Sequence, residues 1–232
     1  MNIKDKTVLI TGANRGLGKA LVEEALTRGA KRVYAASRTP ITYADERVVS
    51  LTVDITNADQ IQEAAKEVES LDILINNAGV ALYGDLNERK LIEQHFAVNL
   101  FGMQDMAQAF LPLLERTKGA VVSVLSTTAL VAFSPIAAYS ISKAAAFSLV
   151  QSMRALWAER GVKVYAVLPG PIDTDMSRGI AIPKTAPELI AQAIFDSVEK
   201  GELDIFPDPA SAPLAEGWRS LNQLDPASAA SN

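Results

Sequence analysis

The chain alternates short runs of β-branched and apolar residues with longer stretches of helical periodicity. Nearly continuous apolar runs of this kind are typical of strands that are buried on both faces of a parallel sheet. These runs are Thr7–Thr11, Arg32–Ala36, Val48–Val53, Asp72–Ile75, Ala120–Leu125, Val162–Leu168 and, more weakly, Asp204–Phe206. The helix candidates are Leu17–Arg28, Asp59–Glu69, Glu88–Glu115, Ile136–Arg160 and Pro187–Lys200. This order predicts an α/β fold with a doubly wound parallel sheet of about seven strands and helices on both faces.

The length and composition are those of one globular domain. The 232 residues are 49% hydrophobic and 21% charged, and they show no internal repeat and no interdomain linker. We therefore predict a single domain over residues 1–225. Residues 226–232 read PASAASN and predict a flexible tail.

Residue counts and charge exclude several kinds of function. The chain has no cysteine and a single histidine, His95, which argues against disulfides, a cysteine nucleophile and any metal site. The net charge of −5 and the scattered basic residues argue against a nucleic-acid partner. No apolar run approaches the roughly 20 residues of a spanning helix, so we expect no membrane association. The charged start MNIKDK leads straight into a strand, and we expect a cytoplasmic protein.

Two predicted helices carry apolar residues on nearly every side. They are the segments Phe96–Leu114 and Lys143–Ala158. Because a helix on a sheet needs only one apolar stripe, a second covering surface is expected. We predict a homodimer or homotetramer built on the helices around Phe101–Phe110 and Phe147–Trp157. A cover supplied by the chain's own C-terminal segment is the alternative.

A glycine-rich turn follows the first predicted strand. Residues 11–18 read TGANRGLG, and a helix follows at once. Glycines permit a tight turn and a close approach of the backbone to a pyrophosphate, and the helix N-terminus adds free N–H groups. By itself, the turn fits simple strand termination as well as a nucleotide site.

The end of the second predicted strand favours NADP over NAD. An acidic residue at this point grips the adenosine ribose in NAD-binding chains. Here Ser37 and Arg38 take its place, and both can bind a 2′-phosphate that a carboxylate would repel. Arg15 in the glycine turn can reach the same phosphate. The alternative is that both arginines are merely solvated.

Two more turns follow the third and fourth strands. Asp54 is a candidate for a site near the adenine, although the same stretch contains a helix start with Thr56 or Asn57 as the cap. The sequence NNAG at 76–79 places amide side chains where they can pin adjacent loops, and its glycine leaves room for a ligand. Taken singly, NNAG is compatible with an ordinary turn.

Tyr139 and Lys143 are four residues apart on a predicted helix, so they share one face. A free tyrosine has a pKa of about 10, and a nearby ammonium is expected to lower it towards neutrality. Ser126, at the end of the fifth strand, can donate a hydrogen bond to a carbonyl oxygen. Asn99 is an unusual amide among apolar neighbours. Alone, a Tyr-x-x-x-Lys pair is usually a surface pair.

Together and in this order, these motifs resemble the short-chain dehydrogenase/reductase family in its compact, single-domain branch. The resemblance rests on TGANRGLG, NNAG, Asn99, Ser126 and YSISK at 139–143, and on PGPIDT at 169–174. It covers about residues 6–174, and several independent motifs in the correct order make it specific. It implies a Rossmann-type sheet.

The resemblance also implies an NADPH-dependent oxidoreductase that reduces a ketone or aldehyde to an alcohol, reversibly. Ser126 would bind the carbonyl oxygen and Tyr139 would protonate it, while Lys143 would lower the tyrosine pKa and hold the nicotinamide ribose. Asn99 would position a water that links Lys143 to solvent. The residues expected to bind NADPH or NADP+ are Gly12, Asn14, Arg15, Gly16, Leu17, Gly18, Ser37, Arg38, Asp54, Ile55, Asn77, Ala78, Gly79, Tyr139, Lys143, Pro169, Gly170, Ile172 and Thr174.

The substrate is expected to be a small apolar carbonyl or alcohol. The segment Met176–Lys184 would form the family's substrate lid, and it is short and nearly uncharged. Other expected lining residues, mostly apolar, are Leu82, Tyr83, Thr128, Val131 and Phe133.

Two other functions share these motifs. A 3-oxoacyl carrier-protein reductase would need a basic docking patch for an acidic carrier, and we identify none in the sequence. A non-catalytic NADP-sensing module could discard the four catalytic residues, yet all four are present.

Overall fold

The computed structural model describes residues 1–179 and 181–222, with no side-chain description at 221–222. Seven parallel strands form one sheet in the order β3-β2-β1-β4-β5-β6-β7. The strands are β1 (Thr7–Thr11), β2 (Arg32–Ser37), β3 (Val48–Thr52), β4 (Ile73–Asn76), β5 (Ala120–Val124), β6 (Lys163–Val167) and β7 (Asp204–Ile205). The predicted fold class is confirmed. The tail predicted at 226–232 lies outside the described residues, and the domain limits stay a prediction.

Helices cover both faces of the sheet. They are α1 (Gly16–Thr27), α2 (Ala58–Glu67), α3 (Arg89–Phe96), α4 (Met103–Thr117), α5 (Ala137–Trp157), α6 (Pro187–Lys200) and α7 (Ala212–Asn222). Side chains alternate along each strand, so Leu9 packs into the core under α2, α4 and α5, while Ile10 packs into the core under α1 and α6. The strand order reverses between β1 and β4, which opens a crevice at the carboxyl ends of the strands.

The stretch predicted as one helix over Glu88–Glu115 is helical from Arg89 to Thr117, but it is not one regular α-helix. A π-helical turn, Ala97–Gly102, separates α3 from α4. The Asn99 amide within this turn bonds in both directions to the backbone of Val80, and Gly102 lies directly against Ile55. A π-turn inserts one residue into a helix, and hydrophobic periodicity is too coarse to detect such an insertion.

A seventh helix is absent from the predicted elements because residues 207–232 are rich in Pro, Ala and Ser. Its Trp218 ring packs 5.1 Å from the ring of Phe147. The indole Nε1 donates to Asp204 Oδ2 at 2.7 Å, and Arg154 donates to the other oxygen of the same carboxylate at 2.6 Å. The C-terminal segment thus covers part of α5.

This cover corrects the reason given for an oligomer. Phe147 and Trp157 are only 5% and 3% exposed in the single chain, so their burial requires no second subunit. Phe101 on the π-helical turn and Leu156 on α5 do stay exposed, at 52% and 72%. The oligomeric state itself stays a prediction.

Replacing Trp218 by alanine should reduce the free energy of unfolding by about 2 kcal/mol, because the side chain loses both its ring contact and its hydrogen bond. Urea unfolding at constant slope measures the change. The exposed neighbour provides the control, since Arg219→Ala should shift stability by less than about 0.5 kcal/mol. Equal unfolding free energies of the Trp218 variant and the wild type would show that the Trp218 contacts of α7 do not stabilise the fold.

Candidate active site

The carboxyl ends of the strands surround one cavity of about 870 Å³. Every predicted cofactor and catalytic residue lines this cavity except Asn99, which lies directly behind its wall. Turns from all parts of the chain meet here because the strands are parallel and their carboxyl ends share one edge. The part of the chain that the structure describes contains no cluster of metal-ligating side chains and no helix able to cross a membrane.

Hydrogen bonds from Thr11 and Asn77 tie the ends of β1 and β4 together. Thr11 Oγ1 accepts from the N–H groups of Asn77 and Ala78 at 2.9 and 3.0 Å. The Asn77 amide donates back to the carbonyl oxygens of Thr11 and Gly12, at 2.9 and 3.3 Å. The interpretation of NNAG as a sequence that pins adjacent loops is therefore confirmed for Asn77.

The glycine turn between β1 and α1 fits a pyrophosphate. A Cβ atom at Gly18 would lie 2.0 Å from the carbonyl oxygen of Gly12, so no other residue lets the turn and the helix approach this closely. Arg15 occupies the cap position of α1, and its side chain makes no hydrogen bond to the helix. The first N–H groups of α1 therefore remain available at the cavity, where they favour an anion.

The two arginines predicted to bind the 2′-phosphate, Arg15 and Arg38, differ in their partners. Arg15 Nη1 lies 2.9 Å from Asp175 Oδ2, so this ion pair joins the glycine turn to the segment after β6. Arg38 is exposed and lines the cavity beside Ser37, whose hydroxyl donates to the carbonyl of Thr39. Both arginines line the cavity, and the Arg15 side chain is 69% exposed although it is ion-paired with Asp175.

Asp54 also lines the cavity, yet it mainly organises its own turn. Its Oδ1 accepts from the N–H and hydroxyl of Thr56 at 2.9 and 2.7 Å. These bonds hold the pKa of Asp54 below its usual value, and the charge of Arg38 adds to the effect. Asn57, one of the two cap candidates, is the cap of α2, because its side chain accepts from Gln60 N–H.

Ser126, Tyr139 and Lys143 meet at the inner end of the cavity. Tyr139 and Lys143 share one face of α5, with the ammonium nitrogen 5.6 Å from the centre of the phenol ring. Ser126 follows β5 and hydrogen-bonds to Tyr139. Lys143 is only 5% exposed, and its Nζ donates to the carbonyl of Val124 at 2.9 Å. The pair is thus no ordinary surface pair.

The expectation that Lys143 lowers the pKa of Tyr139 is wrong for this structure. Burial raises the pKa of Tyr139 to about 12, and the hydrogen bond from Ser126 offsets only part of the rise. Burial also lowers the pKa of Lys143 to about 8. Desolvation penalises the charged form of both groups. The Lys143 ammonium donates to the carbonyl oxygen of Val124 and not to the Tyr139 hydroxyl.

Asn99 holds the loop behind the two catalytic candidates. Its Oδ1 accepts from Val80 N–H at 2.9 Å, while its Nδ2 donates to Val80 O and to Ser142 Oγ at 2.9 and 3.0 Å. A Cβ atom at Gly79 would lie 3.2 Å from Asn99 Oδ1 and 3.7 Å from Lys143 Nζ, so the glycine lets the loop pass against both groups.

Two residues that sequence reasoning missed fix the PGPIDT segment. Asp208 is 5% exposed, and its Oδ2 accepts from Gly170 N–H at 2.8 Å. The hydroxyl of Ser177 donates to Ile172 O at 2.6 Å and caps the turn that begins at Thr174. The sequence D-P-A-S at 208–211 is the signal that could have revealed Asp208, because Asp and Ser favour helix starts.

The outer end of the cavity is apolar. Of the expected lining residues, Tyr83, Thr128 and Phe133 do line it, and Met176 and Ile182 of the lid join them. Leu82 and Val131 lie outside the lining and face solvent, at 39% and 62% exposure. The expected lining is therefore wrong for these two side chains.

His95 is buried, and its ring holds the backbone of this region in place through hydrogen bonds. Its Nε2 accepts from Leu82 N–H at 3.0 Å, and its Nδ1 contacts Leu91 O at 2.8 Å. Both ring nitrogens of His95 thus contact the backbone. The ring also lies edge-on to the Tyr139 ring, with the ring centres 6.3 Å apart.

Comparisons with known proteins agree with this geometry. The family model for short chain dehydrogenases matches residues 6–184. The chain is 32% identical over 228 residues to Oxidoreductase UcpA of Salmonella typhimurium, covering 87% of this chain and 86% of the relative. It is 31% identical over 192 residues to the 3-oxoacyl-[acyl-carrier-protein] reductase FabG of Vibrio cholerae, covering 78% of this chain and 79% of that protein.

Among solved structures, a short chain dehydrogenase from Burkholderia cenocepacia in complex with NADP superposes with a TM-score of 0.91. It is 37% identical, and the match covers 97% of both chains. The family model, the curated relatives and the fold all lead to one assignment. The chain belongs to the short-chain dehydrogenase family of oxidoreductases.

Proposed function

We propose that the protein is an NADPH-dependent reductase of apolar ketones or aldehydes, with Tyr139 as the proton donor and the reverse alcohol oxidation as the same reaction run backwards. One observation carries the proposal. A single cavity joins the Ser126, Tyr139 and Lys143 cluster at one end to the exposed Arg38 at the other.

The catalytic cluster supplies the proton and binds the reacting oxygen. Tyr139, with a pKa raised to about 12, carries its proton throughout the neutral range. Ser126 Oγ accepts from Thr128 N–H at 3.1 Å, and its hydroxyl, which hydrogen-bonds to Tyr139, would donate instead to the carbonyl oxygen of a bound substrate. As the phenol gives up its proton, the Lys143 ammonium stabilises the resulting phenolate. General acid catalysis of this kind contributes about 10²–10⁴-fold.

A nicotinamide cofactor, which gives or accepts the hydride when bound, fits the rest of the cavity. The glycine turn and the free N–H groups of α1 would hold its pyrophosphate. Ile172 and Thr174 would hold the carboxamide, in a segment kept rigid by Asp208 and Ser177. Lys143 would bind the nicotinamide ribose. Asn99, whose amide is engaged with Val80 and Ser142, would act by positioning, and the water implied at this residue stays a prediction.

The charge at the adenosine end supports NADP over NAD. Arg38 is exposed at the end of β2, where it meets the cavity together with Ser37. The Asp54 carboxylate interacts electrostatically with this arginine, and its Oδ1 accepts two hydrogen bonds from Thr56. The Burkholderia cenocepacia relative is a complex with NADP, which agrees with this assignment.

A 3-oxoacyl carrier-protein reductase is the second candidate, and the similarity to a Vibrio cholerae enzyme of that name favours it. The apolar cavity mouth favours a free apolar carbonyl compound instead. We place the protein in the cytoplasm, as a dimer or tetramer in which the exposed Phe101 and Leu156 meet a second subunit.

Tyr139→Phe should retain the fold and the affinity for NADPH but lose more than nine-tenths of kcat, because only the proton donor is removed. Steady-state reduction of an aryl ketone, followed at the nicotinamide absorbance, measures the loss. Tyr83→Phe is the matched control, since Tyr83 lines the same cavity with an exposed side chain and should retain most of kcat. Retention of over a tenth of kcat in Tyr139→Phe would exclude Tyr139 from this role.

The burial of Lys143 should make the free energy of unfolding depend on pH. Between the folded pKa of about 8 and the ordinary lysine value of 10.5, the unfolded chain binds more protons, so stability rises with pH in this window. Relative to Lys143→Met, the cofactor-free wild type should gain about 2 kcal/mol in unfolding free energy from pH 8 to pH 10. Urea unfolding at four pH values measures it. The surface variant Lys19→Met should follow the wild type, and a Lys143→Met curve parallel to both would contradict the lowered pKa.

Arg38→Leu should reduce the preference for NADPH over NADH in kcat/KM by roughly 10- to 150-fold, because a hydrogen bond to a charged group is lost. Adding Ser37→Asp should reverse the preference, since the new carboxylate repels the 2′-phosphate and accepts from the ribose hydroxyls. Arg15→Leu is the comparison, and its effect should be smaller because Arg15 is paired with Asp175. A wild type that uses both cofactors equally or prefers NADH would refute the assignment.

A further inference from the structure

Exposed apolar side chains are concentrated at the mouth of the cavity. Twelve large hydrophobic side chains are exposed in the described part of the chain, and half of them lie on the three segments around this mouth. We call this half the apolar rim, and its members are Leu82, Tyr83, Val131, Phe133, Met176 and Ile182. Each is between 39% and 62% exposed. Clusters of this kind mark ligand-binding grooves or contact surfaces.

The apolar rim continues the cavity outward. Tyr83, Phe133, Met176 and Ile182 line the cavity itself while remaining partly exposed to solvent. The surface therefore runs without interruption from the site of Ser126 and Tyr139 to the outside of the molecule. A molecule whose carbonyl group lies at the inner end can therefore extend past these side chains into solvent.

The two positive charges of the lid segment 176–184 contact other groups of the chain and are not part of the apolar rim. Arg178 forms an ion pair with Asp175, and Lys184 Nζ donates to the carbonyl of Ser177 at 2.8 Å. These are the two cations of the segment 176–184. Both cations of the lid are therefore engaged by other groups of this chain.

Buried hydrogen bonds hold two walls of the rim in place. The fully buried His95 accepts from Leu82 N–H at 3.0 Å, and Ser140, which is 2% exposed, accepts from Phe133 N–H at 3.1 Å. The apolar side chains are thus presented by an ordered backbone. A preorganised surface binds an apolar ligand with a smaller entropic cost than a surface that must first be ordered.

We propose that the apolar rim is a binding subsite for an extended apolar tail of the substrate. The substrate class is then an uncharged ketone or aldehyde whose carbonyl group lies at one end and whose chain or rings continue beyond the cavity. This assignment rests on the proposed function and narrows its substrate class, because a small carbonyl compound would not contact the apolar rim. The continuity of the rim with the cavity favours a substrate tail over a second subunit as the occupant.

A series of straight-chain methyl ketones from 2-butanone to 2-decanone tests the subsite, with kcat/KM measured at saturating NADPH. Each methylene that contacts the rim should raise kcat/KM about two- to fourfold, so 2-decanone should exceed 2-butanone by more than about 50-fold. In the double variant Val131→Ser, Phe133→Ser, this ratio should fall by at least about tenfold. Leu203→Ser is the matched control, because Leu203 is as exposed as the rim residues but precedes β7 at the opposite edge of the sheet.

The outcomes separate the two proposals. Reduction of short and long ketones with equal efficiency would overturn the subsite and leave the proposed function intact. Failure to reduce a ketone of any length would overturn the proposed function, and the subsite with it. A rim variant that shifts the molar mass in light scattering while keeping the chain-length preference would assign the rim to a contact between subunits, which also overturns the subsite.

Discussion

The hydrogen bonds between Thr11 and Asn77 join β1 to β4, the two strands between which the sheet order reverses. The crevice exists because the chain leaves these neighbouring strands in opposite directions, and the bonds keep its floor closed. On one side of them lies the glycine turn with the N-terminus of α1. On the other lies Gly79, which brings the loop against Asn99 and Lys143. The two ends of the cavity, which we propose hold the adenosine and the reacting carbonyl group, are thus positioned by the same contact.

Burial decides the electrostatics of the reacting end. The same desolvation raises the pKa of Tyr139 and lowers that of Lys143, so burial disfavours the charged form of each group. A phenol that carries its proton is the form a reductase requires of its acid. An ammonium held by Val124 O next to it can stabilise the phenolate that follows. The raised pKa therefore supports the reductive direction instead of weakening the role of Tyr139.

The sheet and most of the cavity lining could be predicted because each depends on a local pattern. Strand ends in the structure differ from the predicted ends by one residue at most, and the glycine turn, NNAG and YSISK each lie within one turn of a strand or helix. The sequence did not predict the π-helical turn, α7, or the roles of Asp208, His95 and Asp175. Most of them depend on a partner far along the chain, such as Asp208 with Gly170 or Arg15 with Asp175. The predicted direction of the Tyr139 pKa shift was wrong because the spacing of two residues on a helix does not reveal how deeply they are buried.

The central claim is that the cluster around Tyr139 reduces a carbonyl group with NADPH held in the same cavity. Deuterium transfer tests it most directly. The protein is incubated with an aryl ketone and with NADPH that carries deuterium at one of the two positions on nicotinamide C4, each stereoisomer in turn. We predict that one stereoisomer gives an alcohol with one deuterium on the carbinol carbon and that the other gives none. An alcohol without deuterium from either stereoisomer, or no alcohol from any ketone although NADPH binds, would contradict the account.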